Sequence, residues 1–251
     1  MLFRNSELDR AFAFIAESDF DVFCLQEVPE AILLRLKELP YEMVSAVDME
    51  KHFSSATIRS HNVILSRFPI TTSSAIPFAD AWDELPLRTR LFIRLMRPFH
   101  FAEVRGRHGL VADFDINGTP LRIFNLHLLL LADPARRIEE FEQALLSYSR
   151  EIPTIICGDF NTIESWRVAI LNWLLGGKVF DTLFYTRERL HLEKRFAEYE
   201  ITNALRGKNT HAFANSQLDH ILVSKHFSLQ NASVLPARLG SDHHPIFVAT
   251  T

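Results

Sequence analysis

The 251-residue sequence predicts an α/β domain built around a mixed β-sheet. Short apolar runs typical of buried strands alternate with segments whose apolar residues recur every three or four positions, as in amphipathic helices. Two of the strands are joined by Asn117-Gly118, a turn pair typical of an antiparallel hairpin. No repeat or Gly/Ser/Pro-rich linker interrupts the chain, so we expect one domain spanning residues 1–251.

In the first half of the chain, helices and strands are predicted to alternate. "SELDRAFAFIAESDFD" has helical spacing of apolar residues, with Ser6 as the N-cap. "DVFCLQEV" predicts a strand and "EAILLRLKEL" a second helix. "NVILSRFPI" and "RLFIRLM" predict two further strands.

In the second half, "GLVADFDINGTPLRIFNLHLL" predicts the hairpin. "DPARRIEEFEQALLSYSR" predicts a helix capped by Asp133, with Pro134 at its first position. A strand at "TIICGD" and a helix over 166–175 follow, and residues up to about 210 are expected to be irregular. "QLDHILVS" and "PIFVAT" predict the closing strands.

Composition narrows the functional classes. A formal net charge of -4 argues against broad, nonspecific attraction to DNA or anionic membranes, although a local basic groove is compatible with it. The arginines between 88 and 107 form either a solvated face or, for a few of them, a phosphate-binding surface. Cys24 and Cys157 lie in apolar runs without zinc-site spacing, which indicates reduced thiols. Neither a membrane span nor a signal peptide is evident, so a cytoplasmic protein is expected.

Polar side chains gather where the predicted strands end. Each one alone has an ordinary explanation, such as turn chemistry, a solvated carboxylate or a hydrogen-bonded core histidine. Their repetition at five edges of apolar runs is harder to dismiss. The residues at these edges are Glu27, Asn125, His127, Asp159, Asn161, Asp219, His220, Asp242, His243 and His244.

The residue types at these edges are chemically coherent. Carboxylates and amide oxygens are ligands suited to Mg²⁺ or Mn²⁺. Histidine titrates near neutrality and can exchange a proton with water or donate to a phosphate oxygen. Oxygen ligands together with histidine, and no thiolate, point to hydrolysis of phosphoesters.

In this order, "LQEV", "NLH", "GDFNT", "LDHILVS" and "SDHHPI" resemble the endonuclease/exonuclease/phosphatase superfamily, which includes exonuclease III-like nucleases and neutral sphingomyelinases. "HNVILSRFPI" also resembles a strand of that superfamily, with His61 in place of the usual Gly. The resemblance implies a four-layer α/β sandwich, in which two packed mixed β-sheets are flanked by helices. It also implies a phosphodiesterase, nuclease or phosphatase that depends on Mg²⁺ or Mn²⁺ and acts on nucleic acid, a phospholipid head group or a small phosphorylated molecule.

The resemblance also implies roles for individual residues. Glu27 and Asp242 would hold the metal. His127 would donate to the scissile phosphate, and His243, oriented by Asp219, would act as acid/base or stabilise the phosphate. Asp159 would orient or deprotonate the attacking water. Contacts to phosphate or substrate would come from Asn161, Asn125 and Asn62, and His244 would be structural.

Two features depart from the superfamily pattern. Its members open with a strand ending in a metal-site Asn, whereas here "LFRNSELDR" follows Met1 at once. Either the true start lies upstream or the chain lacks a strand and a ligand; Asn5 falls where the helix cap is expected.

"GRHGL" stands where abasic-site endonucleases carry a Tyr/Lys-rich stretch. The arginines with Trp82, Phe99, Phe101 and Phe213 could shape a pocket for a phosphorylated ligand, or these aromatics could be core.

Two other functions remain open at this point. A catalytically silent scaffold of the same fold could bind a phosphorylated partner, and the absent first strand motivates that alternative. Asp242-His243-His244 also suggests the phosphoesterases named for an Asp-His-His motif, but that family needs paired aspartates early in the chain, which this sequence lacks.

Overall fold

Two large β-sheets organise the protein. The computed structural model describes residues 5–53, 56–96, 98 and 101–251. The first sheet is antiparallel, with strand order β1-β3-β2-β5. Its strands are β1 (Val22–Pro29), β2 (Glu42–His52), β3 (Thr57–Ser66) and β5 (Glu103–Arg105).

The second sheet has the order β4-β6-β7-β8-β10-β9 and is mixed, because β7 and β8 run parallel while its other pairs are antiparallel. Its strands are β4 (Ile70–Pro77), β6 (His108–Ile116), β7 (Thr119–His127), β8 (Thr154–Asp159), β9 (Ile201–Asn203) and β10 (Asp219–Ser224). A separate pair, β11 (Leu229–Val234) and β12 (Ile246–Thr250), closes the chain.

Helices cover the outer faces of both sheets. They are α1 (Asn5–Glu17), α2 (Leu33–Leu36), α3 (Leu87–Leu95), α4 (Pro134–Ala144), α5 (Ala169–Leu174), α6 (Val179–Leu183) and α7 (Arg187–Glu198). Among the described residues, no helix combines the length and apolar character needed to cross a bilayer.

Apolar side chains fill the spaces between the layers. Ile123 packs between the sheets with Ile64 of β3, whereas its neighbour Phe124 points the other way and packs with Phe141 of α4 and Phe196 of α7. Successive residues of a strand face opposite sides, so one strand serves two cores. A third core lies beneath α1 and α2 on the outer face of the first sheet. The four-layer α/β sandwich expected from the sequence is confirmed.

Several predicted elements are present. The hairpin turns at Asn117 and Gly118, both with positive φ as this tight turn requires. Asp133 caps α4 by accepting a hydrogen bond from the Arg136 backbone, and Pro134 begins the helix. The two cysteines are free, as expected. A hydrogen bond with Cys157, followed by burial, raises the pKa of the Cys24 thiol.

Other predictions were wrong. "RLFIRLM" forms part of α3 and not a strand, because a run of seven apolar and basic residues is too short to separate the two periodicities. The supposedly irregular stretch before residue 210 contains α6, α7 and β9. The predicted second helix is only a short turn followed by α2. Helix α1 has already begun at Asn5, so Ser6 lies within it; the side chains of both lie outside the described part of the chain.

Candidate active site

The register of three adjacent strands brings distant residues to one sheet edge. In parallel pairing His127 of β7 lies beside Asp159 of β8, and in antiparallel pairing Asp159 lies beside Asp219 of β10. Directly paired residues on neighbouring strands have Cβ atoms about 4.5–5.5 Å apart. Strand order therefore explains why residues separated by 92 positions, from 127 to 219, meet at this edge.

Asp159 occupies the centre of the site. Its Oδ2 atom is 3.9 Å from Nε2 of His127 and 3.8 Å from Nε2 of His243. Its Oδ1 atom accepts a hydrogen bond from the Asn161 backbone at 2.8 Å. Burial raises the pKa of the Asp159 carboxyl, and nearby Asp219 adds to this while the two imidazoles oppose it. The carboxylate is thus more basic than an exposed one and has a histidine on each side.

Gly158 permits the close packing behind this carboxylate. Its φ is 140°, and a Cβ atom at this position would lie 1.8 Å from the carbonyl oxygen of Leu126. Only glycine fits, because any side chain would push β7 and β8 apart just before Asp159.

His243 is backed by Asp219. Its Nδ1 atom donates to Oδ2 of Asp219 over 2.8 Å. Burial works against a charged ring, but Asp159 and Asp219 raise the pKa of His243 to about 10. The side chain of Thr210 accepts from the backbone of Asp219 at 3.0 Å, and its carbonyl accepts from the His244 backbone at 2.9 Å. Thr210 thereby ties together the two segments that carry this pair.

His127 is backed in the same way by Asp48, a residue that sequence reasoning missed. Nδ1 of His127 donates to Oδ2 of Asp48 over 2.9 Å, and both side chains are buried. Despite burial, Asp48 raises the pKa of His127 above its usual value. Asp48 lies where the register of β2 shifts, between Val47 and Met49. The sequence signal that could have identified Asp48 is a carboxylate between two apolar residues of a strand.

Glu27 also stands at an irregularity. The pairing of β1 shifts between Leu25 and Val28, and Glu27 has φ of 55°, a costly conformation for a residue with a side chain. Bulges re-aim side chains near functional sites. The Glu27 backbone donates to Asp48 at 3.3 Å, and its carboxylate lies 3.1 Å from Nζ of Lys51. Burial disfavours the charged carboxylate, yet Lys51 and His127 hold the pKa of Glu27 well below its usual range.

Asp242, which precedes His243 in the chain, is exposed. Its Oδ2 atom is 4.0 Å from Nε2 of His211, another residue that the sequence did not single out. The His211 ring meets the His243 ring edge-on, with centroids 4.7 Å apart. Burial and the charge of His243 lower the pKa of His211. Because Nδ1 of His211 accepts from the Ala214 backbone at 3.0 Å, its proton resides on Nε2, facing Asp242.

Among the described residues, two groups place three ligand atoms within 4.8 Å of one another. They are His211–Asp242–His243 and Asp159–Asp219–His243, and Glu27 belongs to neither. The two predicted metal ligands, Glu27 and Asp242, therefore do not share one compact group among the described residues. The donor set is carboxylate-rich, and Glu27 already faces a cation in Lys51, so the residues present fit a hard divalent ion.

The three predicted asparagine contacts have structural partners. Asn125 donates to the carbonyls of Leu25 and Val63, each at 3.0 Å, and accepts from Gln26 at 2.6 Å, which ties β1 and β3 to β7. Buried Asn62 donates to the His108 carbonyl at 2.8 Å and lies beside Asp48.

Asn161 follows Asp159 with φ of 51° and donates to the Leu128 carbonyl at 2.9 Å. All three asparagines thus hold the backbone around the site. Both the nitrogen and the oxygen of the Asn125 side-chain amide are hydrogen-bonded.

Two histidines near the site belong to the scaffold. His220 is buried, stacks on Phe160 at 4.6 Å and contacts Arg189. Burial, followed by the charge of Arg189, lowers the pKa of His220 well below its usual value. His244 bonds to the Leu235 carbonyl at 2.9 Å.

Two of the arginines considered as phosphate ligands pair with carboxylates. Arg107 is buried, pairs with Glu140 and donates to the His127 carbonyl at 2.6 Å. Arg105 pairs with Asp80, Asp83 and Glu103.

The aromatic residues considered for a pocket separate in the same way. Trp82 is core and Phe101 packs against the same cluster. Phe213 is exposed, and Phe99 lies outside the described residues.

Comparisons with known proteins agree with this architecture. The model of the endonuclease/exonuclease/phosphatase family matches residues 2–243. No curated protein matches the sequence.

Solved structures similar to the chain share its fold at low sequence identity. A conserved protein of unknown function from Enterococcus faecalis is 16% identical, with a TM-score of 0.64 over 98% of this chain and 90% of that one. A 3′ phosphatase from Neisseria, bound to a product DNA hairpin, is 15% identical, with a TM-score of 0.56 over 98% and 95%. A mannosyl-6-phosphatase from Bacteroides thetaiotaomicron is 17% identical, with a TM-score of 0.56 over 99% and 96%.

Proposed function

Because the chain belongs to the endonuclease/exonuclease/phosphatase family, whose members are nucleases or phosphatases, we propose that it hydrolyses phosphoester bonds with the help of Mg²⁺ or Mn²⁺. The observation that carries this proposal is the central carboxylate of Asp159, which lies within 3.9 Å of two imidazoles, each backed by its own aspartate. A silent scaffold would have no need for this charge arrangement.

Asp159 positions the attacking water and accepts its proton. Its raised pKa makes it a better proton acceptor than an exposed carboxylate. Asn161 fixes the carboxylate through its backbone N–H, which leaves Oδ2 directed between the two histidines.

The two histidines act on opposite groups of the phosphoester. Protonated His243 donates its Nε2 proton to the leaving oxygen as the bond between phosphorus and that oxygen breaks, and Asp219 holds the ring in place. His127, held by Asp48, donates a hydrogen bond to a non-bridging oxygen where negative charge grows. The water oxygen remains on phosphorus, and the products are a phosphate and an alcohol.

The metal would bind through carboxylates at the edge of the site. Glu27 and Asp242 would hold the ion, which supplies charge neutralisation at the phosphoryl oxygens when bound. We assign Asn125, Asn62 and Asn161 to positioning of the site, since their amide groups already bond to the backbone. These residues span positions 27 to 243, which supports a single domain over 1–251. The two free cysteines suit a reducing compartment, and we place the protein in the cytoplasm.

A substrate panel tests the proposal. It contains single-stranded DNA and RNA, abasic DNA, a DNA 3′-phosphate, sphingomyelin, inositol phosphates, a sugar phosphate and an aryl phosphodiester, each with Mg²⁺ and with Mn²⁺. We include the 3′-phosphate and the sugar phosphate because similar folds occur in a DNA 3′ phosphatase and a mannosyl-6-phosphatase.

At least one panel substrate is expected to be hydrolysed, with activity abolished by EDTA and restored by added metal. Absence of turnover on every substrate with both metals, in protein that binds metal, would contradict the proposal and favour a scaffold.

A further inference from the structure

Helix α3 exposes an apolar stripe. Leu87, Leu91 and Leu95 lie one turn apart on its outer side, and Leu95 is 76% exposed. The opposite side of the helix is buried through Thr89 and Ile93. The solvent-facing side of α3 therefore carries leucines, where a surface helix normally carries polar residues.

Helices α5 and α6 continue this exposure. Val179, Phe180, Leu183 and Phe184 of the α6 region are all exposed, as is Ile170 of α5. Trp166, which precedes α5, is 72% exposed. Single exposed apolar residues are ordinary, but a group of this size on neighbouring helices marks an interaction surface.

The three helices form one unit. The Arg88 side chain of α3 donates to the carbonyls of Trp173 and Gly177, at the end of α5 and just before α6. Its guanidinium also lies 4.9 Å from the centre of the Trp173 ring. The exposed side chains are therefore held on a common support, and we call this surface the α3–α5–α6 face.

The charge of this face is positive, unlike that of the whole chain. Residues 86–96 contain three arginines and no carboxylate, and residues 166–187 contain Asp181 as their one acidic residue. Arg94, Arg167 and Arg187 are exposed and have no ion pair among the described residues, and the Arg187 guanidinium lies 4.8 Å from the Phe180 ring. The net charge of the chain is -4, so this face differs in sign from the chain as a whole.

We propose that the α3–α5–α6 face docks onto an anionic phospholipid surface, with its leucines and aromatic rings at the boundary between head groups and acyl chains and its arginines on lipid phosphates. Apolar side chains interspersed with arginines on a non-spanning surface are what interfacial binding requires. This inference does not depend on the proposed hydrolysis.

Charge and side-chain type favour lipid over other occupants. A second copy docked through the same face would bring Arg94 and Arg167 against like charges. Nucleic acid would use the arginines and could stack on the exposed aromatic rings, but most of the exposed apolar residues of the face are leucine, valine or isoleucine, which offer bases no stacking surface. An anionic bilayer satisfies both the aliphatic side chains and the unpaired cations.

The location of the face is consistent with access to the candidate site. Beneath it, Ile93 of α3 packs in one core with Leu129, Ile163 and Leu218. These residues lie two positions after His127, two after Asn161 and one before Asp219. Docking would therefore bring the edge of the sheet that carries Asp159 close to the head groups.

Vesicle co-sedimentation of the full chain tests the proposal. The probes are vesicles of phosphatidylcholine alone and vesicles of equal parts phosphatidylcholine and phosphatidylglycerol. We expect binding to the anionic vesicles and about tenfold weaker partitioning for Leu91→Glu/Leu95→Glu, since two apolar side chains are lost from the interface. Arg94→Glu/Arg167→Glu should weaken binding and remove its dependence on phosphatidylglycerol. Leu146→Glu is the matched control, because Leu146 is 86% exposed and lies at the end of α4.

Three results would overturn the inference. The first is absence of sedimentation with either vesicle type. The second is equal loss of binding in the Leu146→Glu control. The third is a dimer by light scattering that Leu91→Glu/Leu95→Glu dissociates while anionic vesicles still fail to bind the wild type. Circular dichroism of each variant establishes that the fold is retained.

Discussion

Two carboxylate–imidazole pairs, Asp48–His127 and Asp219–His243, face the same Asp159 carboxylate but differ in their surroundings. The first pair is buried on strands of two different sheets, and the His127 carbonyl is also held by Arg107. In the second pair, Asp219 begins a strand while His243 lies in the loop before β12, with 19% of its side chain exposed. The two pairs are thus chemically similar, but Asp48–His127 is buried and fixed by strands, whereas Asp219–His243 is partly exposed and includes a loop residue.

In the proposed mechanism, this difference suits the two histidines to different roles. A buried ring with one fixed orientation is suited to hydrogen-bonding a phosphate oxygen, where geometry decides its contribution. A partly exposed ring can regain its proton from water after each turnover, as a general acid must. The buried pair also contributes to folding, because removing one partner leaves the other unpaired away from water.

The largest effect is expected where the two pairs converge. Asp159→Asn keeps the shape of the side chain but removes the charge that both imidazoles face, so we expect turnover on the best panel substrate to fall about 10³-fold or more. Steady-state kinetics on purified protein measures this, with Asp19→Asn at an exposed position as the control. Turnover like that of the wild type would refute the central role of Asp159.

Removing each histidine in turn should lower turnover in both variants but should affect stability differently. His243→Ala should lower turnover by about 10²–10⁴-fold and should lower stability less than His127→Ala does, because the His243 ring is partly exposed to water. His127→Ala should lower turnover and also reduce the free energy of unfolding by about 1–3 kcal/mol, because the buried Asp48 carboxylate loses its imidazole partner. Kinetics and urea denaturation of both variants make the comparison. An equal stability loss in the two would contradict the distinction between buried and open pairs.

A pH titration tests how Asp219 affects the pKa of His243 in the partly exposed pair. In metal-free protein, the ring proton of His243 followed by NMR should titrate near a pKa of about 10. The stability that the charged ring contributes is fully present below its ordinary pKa, near 6.5, and is lost as pH rises towards 10. Asp219→Asn should move the titration to lower pH and narrow this window. A His243 pKa that does not move in Asp219→Asn would exclude Asp219 as a cause of the raised value.

The smallest effect is expected at Glu27. Lys51→Met removes the ammonium group 3.1 Å from the Glu27 carboxylate, so Mn²⁺ should bind about two- to tenfold more tightly by calorimetry. Lys194→Met, at a lysine of α7 whose side chain is 76% exposed, is the control. Weaker Mn²⁺ binding in Lys51→Met would place Lys51 among the groups that support the metal.

Much of the site was predictable because strand ends are visible in a sequence. His127, Asp159 and Asp219 each stand at the boundary of an apolar run, and strand register brings those boundaries together. Asp48 was missed because it lies within a strand, at a bulge that breaks the expected alternation. His211 was missed because it lies in a loop, and its contact with His243 depends on tertiary structure.

In the fold, too, features set by local sequence patterns were predicted and features that depend on tertiary contacts were not. The sheet-forming runs and the capped helix α4 were read from local patterns. Helix α3 was mistaken for a strand because its apolar run is too short to separate helical from strand periodicity. Its leucines also face solvent, so the usual link between apolar periodicity and burial does not hold there. The roles of the arginines could not be read from sequence, because the partner of Arg107 is a buried glutamate 33 residues away.

An isotope experiment tests most directly whether Asp159 directs water onto phosphorus between the two histidines. Hydrolysis of the best panel substrate in ¹⁸O-labelled water, followed by ³¹P NMR, should place one ¹⁸O atom in the phosphate product, and Asp159→Asn should form no labelled phosphate at a comparable rate. Label in the alcohol product, or labelled phosphate formed equally fast by Asp159→Asn, would contradict the account.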